Sequence, residues 1–386
     1  MFDYLIIGAG FSGAVMAERI ANVMGKKVLI VEKRNHIGGN AYDKHNEEGI
    51  LVHQYGPHIF HTKLKNVWDY ISQFTEWQHY HHRVLGSIDG KQVPIPFNLT
   101  ALKKLFPEQL ANEIEHKLVQ EFGCNTKVPI LKLREANDEQ LRLLANYIYD
   151  KVFVNYTTKQ WGMLPEELDP LVTGRVPVHI SRDDRYFQDP YQGLPKHGYT
   201  SLFENMLRHP SINLMLNTDY HEVVQFDHQT NQIYLFNQPF KGKVIYTGKI
   251  DELFGYKFGE LPYRSLRFEF DTLPIAQYQE TGTVNYPNEY DFTRITEFKH
   301  MTGKYHRWTT IVREYPQVYN KDVKGQDIPY YPISKPENRE LYKKYYVEAK
   351  AYNQLVLLGR LAEYTYYDMD ACIAKALKVF EQQLLE

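Results

Sequence analysis

Three features of the sequence predict an α/β protein. A short apolar run near the N-terminus leads at once into a glycine-rich turn and a helix. Two more apolar runs of the same kind recur far downstream, at residues 243–247 and 355–358. Between them lie a long stretch with helical spacing and another rich in Tyr, Thr, Val and Phe. A chain of 386 residues exceeds one ordinary hydrophobic core, so two or three domains are expected. The fold class is therefore α/β: a discontinuous Rossmann-type domain, a helical insertion domain and an antiparallel β-sheet domain.

The first element is a strand over Tyr4-Leu5-Ile6-Ile7, short, apolar and rich in β-formers. Gly8-Ala9-Gly10-Phe11-Ser12-Gly13 follows directly. A helix then starts, with Val15, Ile20 and Val23 at apolar spacing, and Gly25 ends it. Lys27-Val28-Leu29-Ile30-Val31 forms the second strand, closed by Glu32 nineteen positions after Gly13. Each part has a physical reason. Gly8 makes the tight turn, Gly10 lets backbone approach a pyrophosphate, and Gly13 lets helix pack on strand. The helix N-terminus offers free N–H groups and partial positive charge to phosphates. Glu32 accepts from ribose hydroxyls and repels a 2′-phosphate. Dinucleotide binding is the expectation.

Further along, Lys63 to Phe74 reads as a helix, and Val84 to Pro96 as a hairpin turning at Asp89-Gly90. The spacing of Leu102, Leu105, Leu110, Ile114, Leu118, Leu141, Leu144 and Ile148 predicts helices. Residues 183–196 and 261–335 read as antiparallel strands, and Asp370 to Leu385 as a final helix. The expected domains are 1–80, 197–260 and 336–386 for the nucleotide-binding unit, 98–182 for a helical domain, and 81–97, 183–196 and 261–335 for the sheet domain. A cleft between them is the expected ligand site.

Composition excludes several classes. The chain is 43% hydrophobic and 24% charged, which argues against disorder. The formal net charge is −2, so no basic field exists for nucleic acid or an anionic membrane. No apolar run approaches the roughly 20 residues of a membrane span. Met1-Phe2-Asp3-Tyr4 lacks the basic flank of a signal peptide, and Cys124 and Cys372 form no disulfide framework. A cytoplasmic location is expected. The sixteen histidines show no clustering with carboxylates or thiols, so no metal site is expected. The 31 tyrosines serve either to fill antiparallel sheet or to line a sugar or nucleotide cleft.

Glu32-Lys33-Arg34-Asn35-His36-Ile37-Gly38-Gly39-Asn40 extends the fingerprint. Its glycine pair is either a plain turn or a second close backbone approach. The segment resembles the second element of FAD proteins related to amine oxidases, which makes FAD the expected cofactor. Five more segments widen the resemblance: Tyr55-Gly56-Pro57-His58-Ile59-Phe60-His61-Thr62, Tyr156-Thr157-Thr158-Lys159-Gln160-Trp161-Gly162, Phe292-Thr293-Arg294-Ile295-Thr296-Glu297, Ile328-Pro329-Tyr330-Tyr331-Pro332, and the run from Gly359 to Asp370. Together they resemble the bacterial UDP-galactopyranose mutase family, in family order along nearly the whole chain.

The resemblance implies an isomerase that interconverts UDP-galactopyranose and UDP-galactofuranose for cell-surface glycans. It implies FAD, active when reduced, a covalent flavin–galactose adduct, an electron donor such as NAD(P)H or a reductase, and a homodimer. Carried over residue by residue, Arg175 and Arg294 hold the diphosphate. Trp161 and Tyr186 line the uridine and sugar side, and Thr157 adds a hydrogen bond. Tyr331 and Tyr366 bind diphosphate through their hydroxyls. Asn285 and His82 contact substrate, and Arg264 lies near flavin and sugar. The cofactor set is Gly8, Gly10, Phe11, Ser12, Gly13, Glu32, Lys33, Gly39, Asn40, His58, Ile59, Asp219, Tyr220, Arg360, Tyr367, Asp368, Met369, Asp370, Ala371 and Cys372. His61 either relays a proton or is a hydrogen-bonded structural histidine.

Two positions depart from the family. His82 stands where relatives often have Asn. His179 stands where relatives have a second lid arginine, and its charging at mildly acid pH is expected to strengthen the hold on diphosphate. A flavin amine oxidase or desaturase shares the fingerprint but has no use for the arginine and tyrosine set. A non-catalytic nucleotide sensor would bind the cofactor without turnover.

Overall fold

The computed structural model describes residues 2–164, 167 and 177–385. Strand β1 (Tyr4–Ile7), helix α1 (Phe11–Met24) and strand β2 (Val28–Val31) open the chain as expected. They belong to a five-stranded sheet in the order Ile212–Met215, β2, β1, Lys243–Tyr246, Leu355–Leu357. Every pairing in it is parallel. Ile6, Ile30 and Ile245 face α1 and the final helix Met369–Gln383, while Leu5, Ile7, Leu29, Val31, Val244 and Tyr246 face the opposite core with Tyr345. Burial on both faces explains why these strands read as unbroken apolar runs rather than alternating ones. The strand order reverses between β1 and Lys243–Tyr246, which opens a crevice at their carboxyl ends.

Two glycines show why the turn and the cap need that residue. A Cβ on Gly13 would lie 2.0 Å from the Gly8 carbonyl oxygen, so α1 packs on the turn only without one. Gly25 ends α1 at φ 65°, and its N–H donates to Ala21 at 3.1 Å.

A second sheet has seven strands in the order Tyr331–Pro332, Tyr263–Leu273, Thr309–Val318, Arg294–Glu297, Thr283–Asn285, Val84–Ile88, Lys91–Ile95. It is antiparallel except where Thr283–Asn285 runs parallel to Val84–Ile88. The hairpin turns at Asp89 and Gly90 with φ of 47° and 76°, as its sequence predicts. Residues 183–196 do not join this sheet, contrary to expectation. Tyr191–Pro195 instead pairs with Phe60–Thr62 on one side and Trp77–Gln78 on the other. Gly193 permits this, because a Cβ there would lie 2.8 Å from the Gln78 carbonyl. Helices Leu99–Leu105, Glu108–Phe122 and Glu139–Ile148 bury their apolar faces in a separate core with Phe97, Val128 and Ile180, and the helix Asn155–Trp161 follows them. No helix among the described residues is long and apolar enough to cross a membrane.

The two glycines give unequal expected costs. Gly13→Ala meets backbone and should lose about 3 kcal/mol, at the upper end of overpacking costs. Gly25→Ala meets nothing within 4 Å and strains only φ, at about 1 kcal/mol. Urea unfolding of both variants measures the difference, and equal losses would reject the close-packing account.

Candidate active site

The crevice at the strand reversal is walled by backbone. Gly8, Gly10, Phe11, Ser12 and Gly13 line it, with Glu32, Lys33, Gly39, Asn40, Asp219 and Tyr220. The two glycine loops touch: a Cβ on Gly39 would lie 3.0 Å from the Gly10 Cα. Gly359 closes the third side at φ 96°, where a Cβ would meet the Ser12 hydroxyl at 2.7 Å. Glu32 is buried, and its carboxylate accepts the Ala9 and Arg34 N–H groups at 2.9 Å each. Burial pushes the Cys372 thiol above its usual range, at the start of the final helix.

Arg34 tests whether this crevice suits a dinucleotide. Its Nη2 donates to Asn40 Oδ1 at 3.0 Å and its guanidinium lies 4.2 Å from the Tyr55 ring centre. Its Nη1 is buried without a partner among the described residues. An unanswered cationic donor in a crevice shaped by absent Cβ atoms fits a phosphate-bearing ligand.

A second cleft of about 320 Å³ adjoins the first, and the two share Asn40, His58, Arg360 and Met369. Sheet register builds its charged wall. Asn285 lies directly opposite Arg294, which lies directly opposite Glu314. Arg294 donates from Nε and Nη2 to Glu314 Oε2 at 2.9 and 2.7 Å. Glu314 is buried, and its Oε1 has no partner among the described residues. Burial opposes the charge on Arg294, but Glu314 and the facing hydroxyls of Tyr156 and Tyr331 outweigh it and raise its pKa.

Aromatic rings form the other walls. Tyr331 and Tyr366 stack at 5.5 Å, and Trp161 lies 5.7 Å from Tyr331. Burial raises the Tyr331 phenol, so it stays protonated and able to donate. His61 Nδ1 lies 2.6 Å from Asp189 Oδ2, and its ring stacks on Phe187 at 3.5 Å. His82 Nδ1 lies 3.1 Å from the Tyr80 hydroxyl, and burial lowers its pKa to about 3. His58 is likewise held neutral by burial, at about 3. Its N–H donates to Nδ1 of His53, whose own pKa burial lowers to about 4.

Most expected residues meet in these two clefts, but several sit elsewhere. Ile59, Asp368 and Asp370 line the second cleft rather than the first. Thr157 lines an adjoining apolar niche with Trp161, Tyr186 and Asn285. Tyr367 and Ala371 are not among the lining residues. The Tyr367 carbonyl accepts from Arg360, at 3.0 Å from Nε, and the Ala371 N–H donates to Asp370. Arg360 itself lines both clefts while tying Tyr367 and, through Nη1, Tyr330 together.

Arg264 has partners that the sequence did not suggest. It donates to the carbonyls of Gln160 and Lys159 at 3.0 and 3.1 Å and lines neither cleft. Those carbonyls end the helix Asn155–Trp161, where unpaired acceptors and the dipole favour a cation. His179 is buried in a short strand, where desolvation with Lys127 nearby lowers its pKa and so works against its charging at mildly acid pH. Arg175 lies outside the described residues. The sequence reading missed Arg34, Tyr156, Asp189 and Glu314. Arg34 sat inside the quoted fingerprint, but the partners of Arg294 and His61 are 20 and 128 residues away and carry no local signal.

Two outcomes are expected. Arg264→Met should lose about 2–3 kcal/mol in urea unfolding through stranded carbonyls, while leaving affinity for a nucleoside diphosphate within twofold. His53 and His82 are buried neutral and bind protons only when unfolded. Stability should therefore fall as pH drops below about 6.5, by about 2 kcal/mol per histidine at pH 5. Unfolding at pH 7 and 5 measures this, and His82→Asn must show the smaller drop.

A glycine-walled crevice at a strand-order reversal, running into a cleft lined by arginine and tyrosine, defines a dinucleotide-dependent enzyme. Comparison agrees: residues 6–74 match an NAD(P)-binding Rossmann-like domain, and residues 151–366 match the UDP-galactopyranose mutase family. The chain is 39% identical to the UDP-galactopyranose mutase of Mycoplasma pneumoniae over 99% of its length and 96% of that protein. It is 36% identical to the dTDP-fucopyranose mutase of Escherichia coli, over 98% and 97%. The structure of a reduced UDP-galactopyranose mutase superposes with a TM-score of 0.73 at 16% identity, covering 100% and 96%. The chain belongs to the UDP-galactopyranose mutase family of isomerases.

Proposed function

We propose that the chain interconverts the pyranose and furanose forms of UDP-linked galactose, with FAD in the glycine-walled crevice. The observation that carries this reading is the continuity of the two clefts at Asn40, His58, Arg360 and Met369. A cofactor along the first crevice then meets a nucleotide sugar in the second. Gly8, Gly10, Ser12, Glu32, Gly39, Asn40 and Arg34 would hold the dinucleotide. When bound and reduced, the flavin supplies an electron-rich ring nitrogen that is nucleophilic toward an anomeric carbon.

The chain's own residues manage the leaving diphosphate. Glu314 fixes Arg294 through Nε and Nη2, which leaves Nη1 for a phosphate oxygen. Tyr331, kept protonated by burial, donates a hydroxyl hydrogen bond, with Tyr366 stacked against it. Trp161 and Tyr186 shut water from the sugar side. On family grounds we place the reaction in the cytoplasm, in a homodimer reduced by NAD(P)H or a reductase, supplying galactofuranose for surface glycans.

Dithionite-reduced, FAD-loaded protein should convert UDP-galactofuranose to the pyranose, resolved by chromatography, and the oxidised protein should not. The match to a dTDP-fucopyranose mutase favours a second substrate, a dTDP-linked fucose, to be run in parallel. Turnover of neither rejects the reading. Arg294→Lys keeps a cation beside buried Glu314 but loses the forked donor. FAD content should be normal, with kcat reduced about 10²-fold. Arg294→Ala is a poorer probe, because it strands a buried carboxylate at a folding cost of about 3–5 kcal/mol.

A further inference from the structure

The exchange of ring size moves one proton. Opening the pyranose breaks the bond between the anomeric carbon and the C5 oxygen, which must gain a proton. Closing the furanose bonds the C4 oxygen to the anomeric carbon, and that hydroxyl must lose one. The two transfers cancel, so one group that gives a proton in one step and takes it back in the other leaves the enzyme unchanged.

The second cleft holds an imidazole built for this. His61 lines it, on a strand whose register places it opposite Gln192. Asp189 Oδ2 lies 2.6 Å from Nδ1, and Phe187 covers one ring face at 3.5 Å. The segment carrying both partners is itself pinned. The buried Gln192 side chain donates to the carbonyls of Asp189 and Phe187 at 2.8 and 3.2 Å. A carboxylate on Nδ1 selects the tautomer with its proton there, which leaves Nε2 to exchange a proton. No Nε2 partner occurs among the described residues. Lys63, 3.9 Å from Asp189 Oδ1, and Lys127 are the other charges facing the carboxylate. Arg294 and neutral His82 lie on the cleft side.

We infer that Asp189 is a positioning residue that orients His61 as the carrier of the proton between the C4 and C5 oxygens of the sugar. This rests on the mutase reading above and deepens it. Asp189→Asn keeps the size but removes the charge and the tautomer preference. In FAD-loaded protein it should retain UDP affinity and KM, while kcat falls about 10²-fold. Asp189→Glu should recover part of the rate. His61→Gln should cost at least as much, and the double variant no more than His61→Gln alone. In labelled holoprotein, the His61 Nδ1–H should give a downfield proton resonance that Asp189→Asn abolishes.

Wild-type kcat in Asp189→Asn would overturn the inference while the mutase reading stands. So would additive losses in the double variant. A loss confined to FAD content or thermal stability would make the pair structural and overturn it too. A wild-type protein that turns over neither nucleotide sugar removes the mutase reading and this inference with it.

Discussion

Backbone touching backbone without side chains in between is what the site is built on. Gly13 presses α1 onto the turn at Gly8, and Gly39 meets Gly10 across the crevice. Any Cβ at Gly13 would overlap a carbonyl oxygen, because it would stand only 2.0 Å away. These approaches leave N–H groups and a helix N-terminus facing an open channel at the reversal of strand order, where a parallel sheet parts its loops. The second cleft acquires meaning from that channel, since the two meet at Asn40, His58, Arg360 and Met369.

Electrostatics divides the site into charged and neutral halves. Arg294 keeps its charge in a buried place because Glu314 answers it, and breaking either partner alone would leave an unpaired ion. The nearby histidines behave oppositely. His53, His58 and His82 have burial against them and stay neutral at physiological pH. His58 and His82 line the second cleft, and His53 holds His58 from behind by accepting its N–H. His61 differs from them in having a carboxylate on its ring.

Much of this architecture was legible locally. The apolar runs, the fingerprint glycines and the Asp89-Gly90 turn each obey rules that act over a few residues, and each appears at its expected place. Resemblance added the order of the segments and most of the cleft residues. The sequence was silent where a residue's partner is remote. Arg264 carries a side chain suited to a phosphate, yet the carbonyls ending a helix about a hundred residues earlier claim it. The burial of His179, which works against its charge, was likewise not readable from its position in the chain. Residues 183–196 had strand character, but character does not name a partner: the strand is Tyr191–Pro195, shared between Phe60–Thr62 and Trp77–Gln78.

From the amino-acid order alone came the α/β class, the dinucleotide crevice and the likeness to a mutase family. The first two follow from periodicity and from glycines at fixed spacing, which local sterics enforce, and the likeness rests on the segments shared with that family. Folding in three dimensions assigned the pairs: Arg294 with Glu314, His61 with Asp189, Arg264 with a helix end. Such pairings depend on sheet register and burial. Both arise from the whole chain closing on its cores, so no short window of sequence contains them.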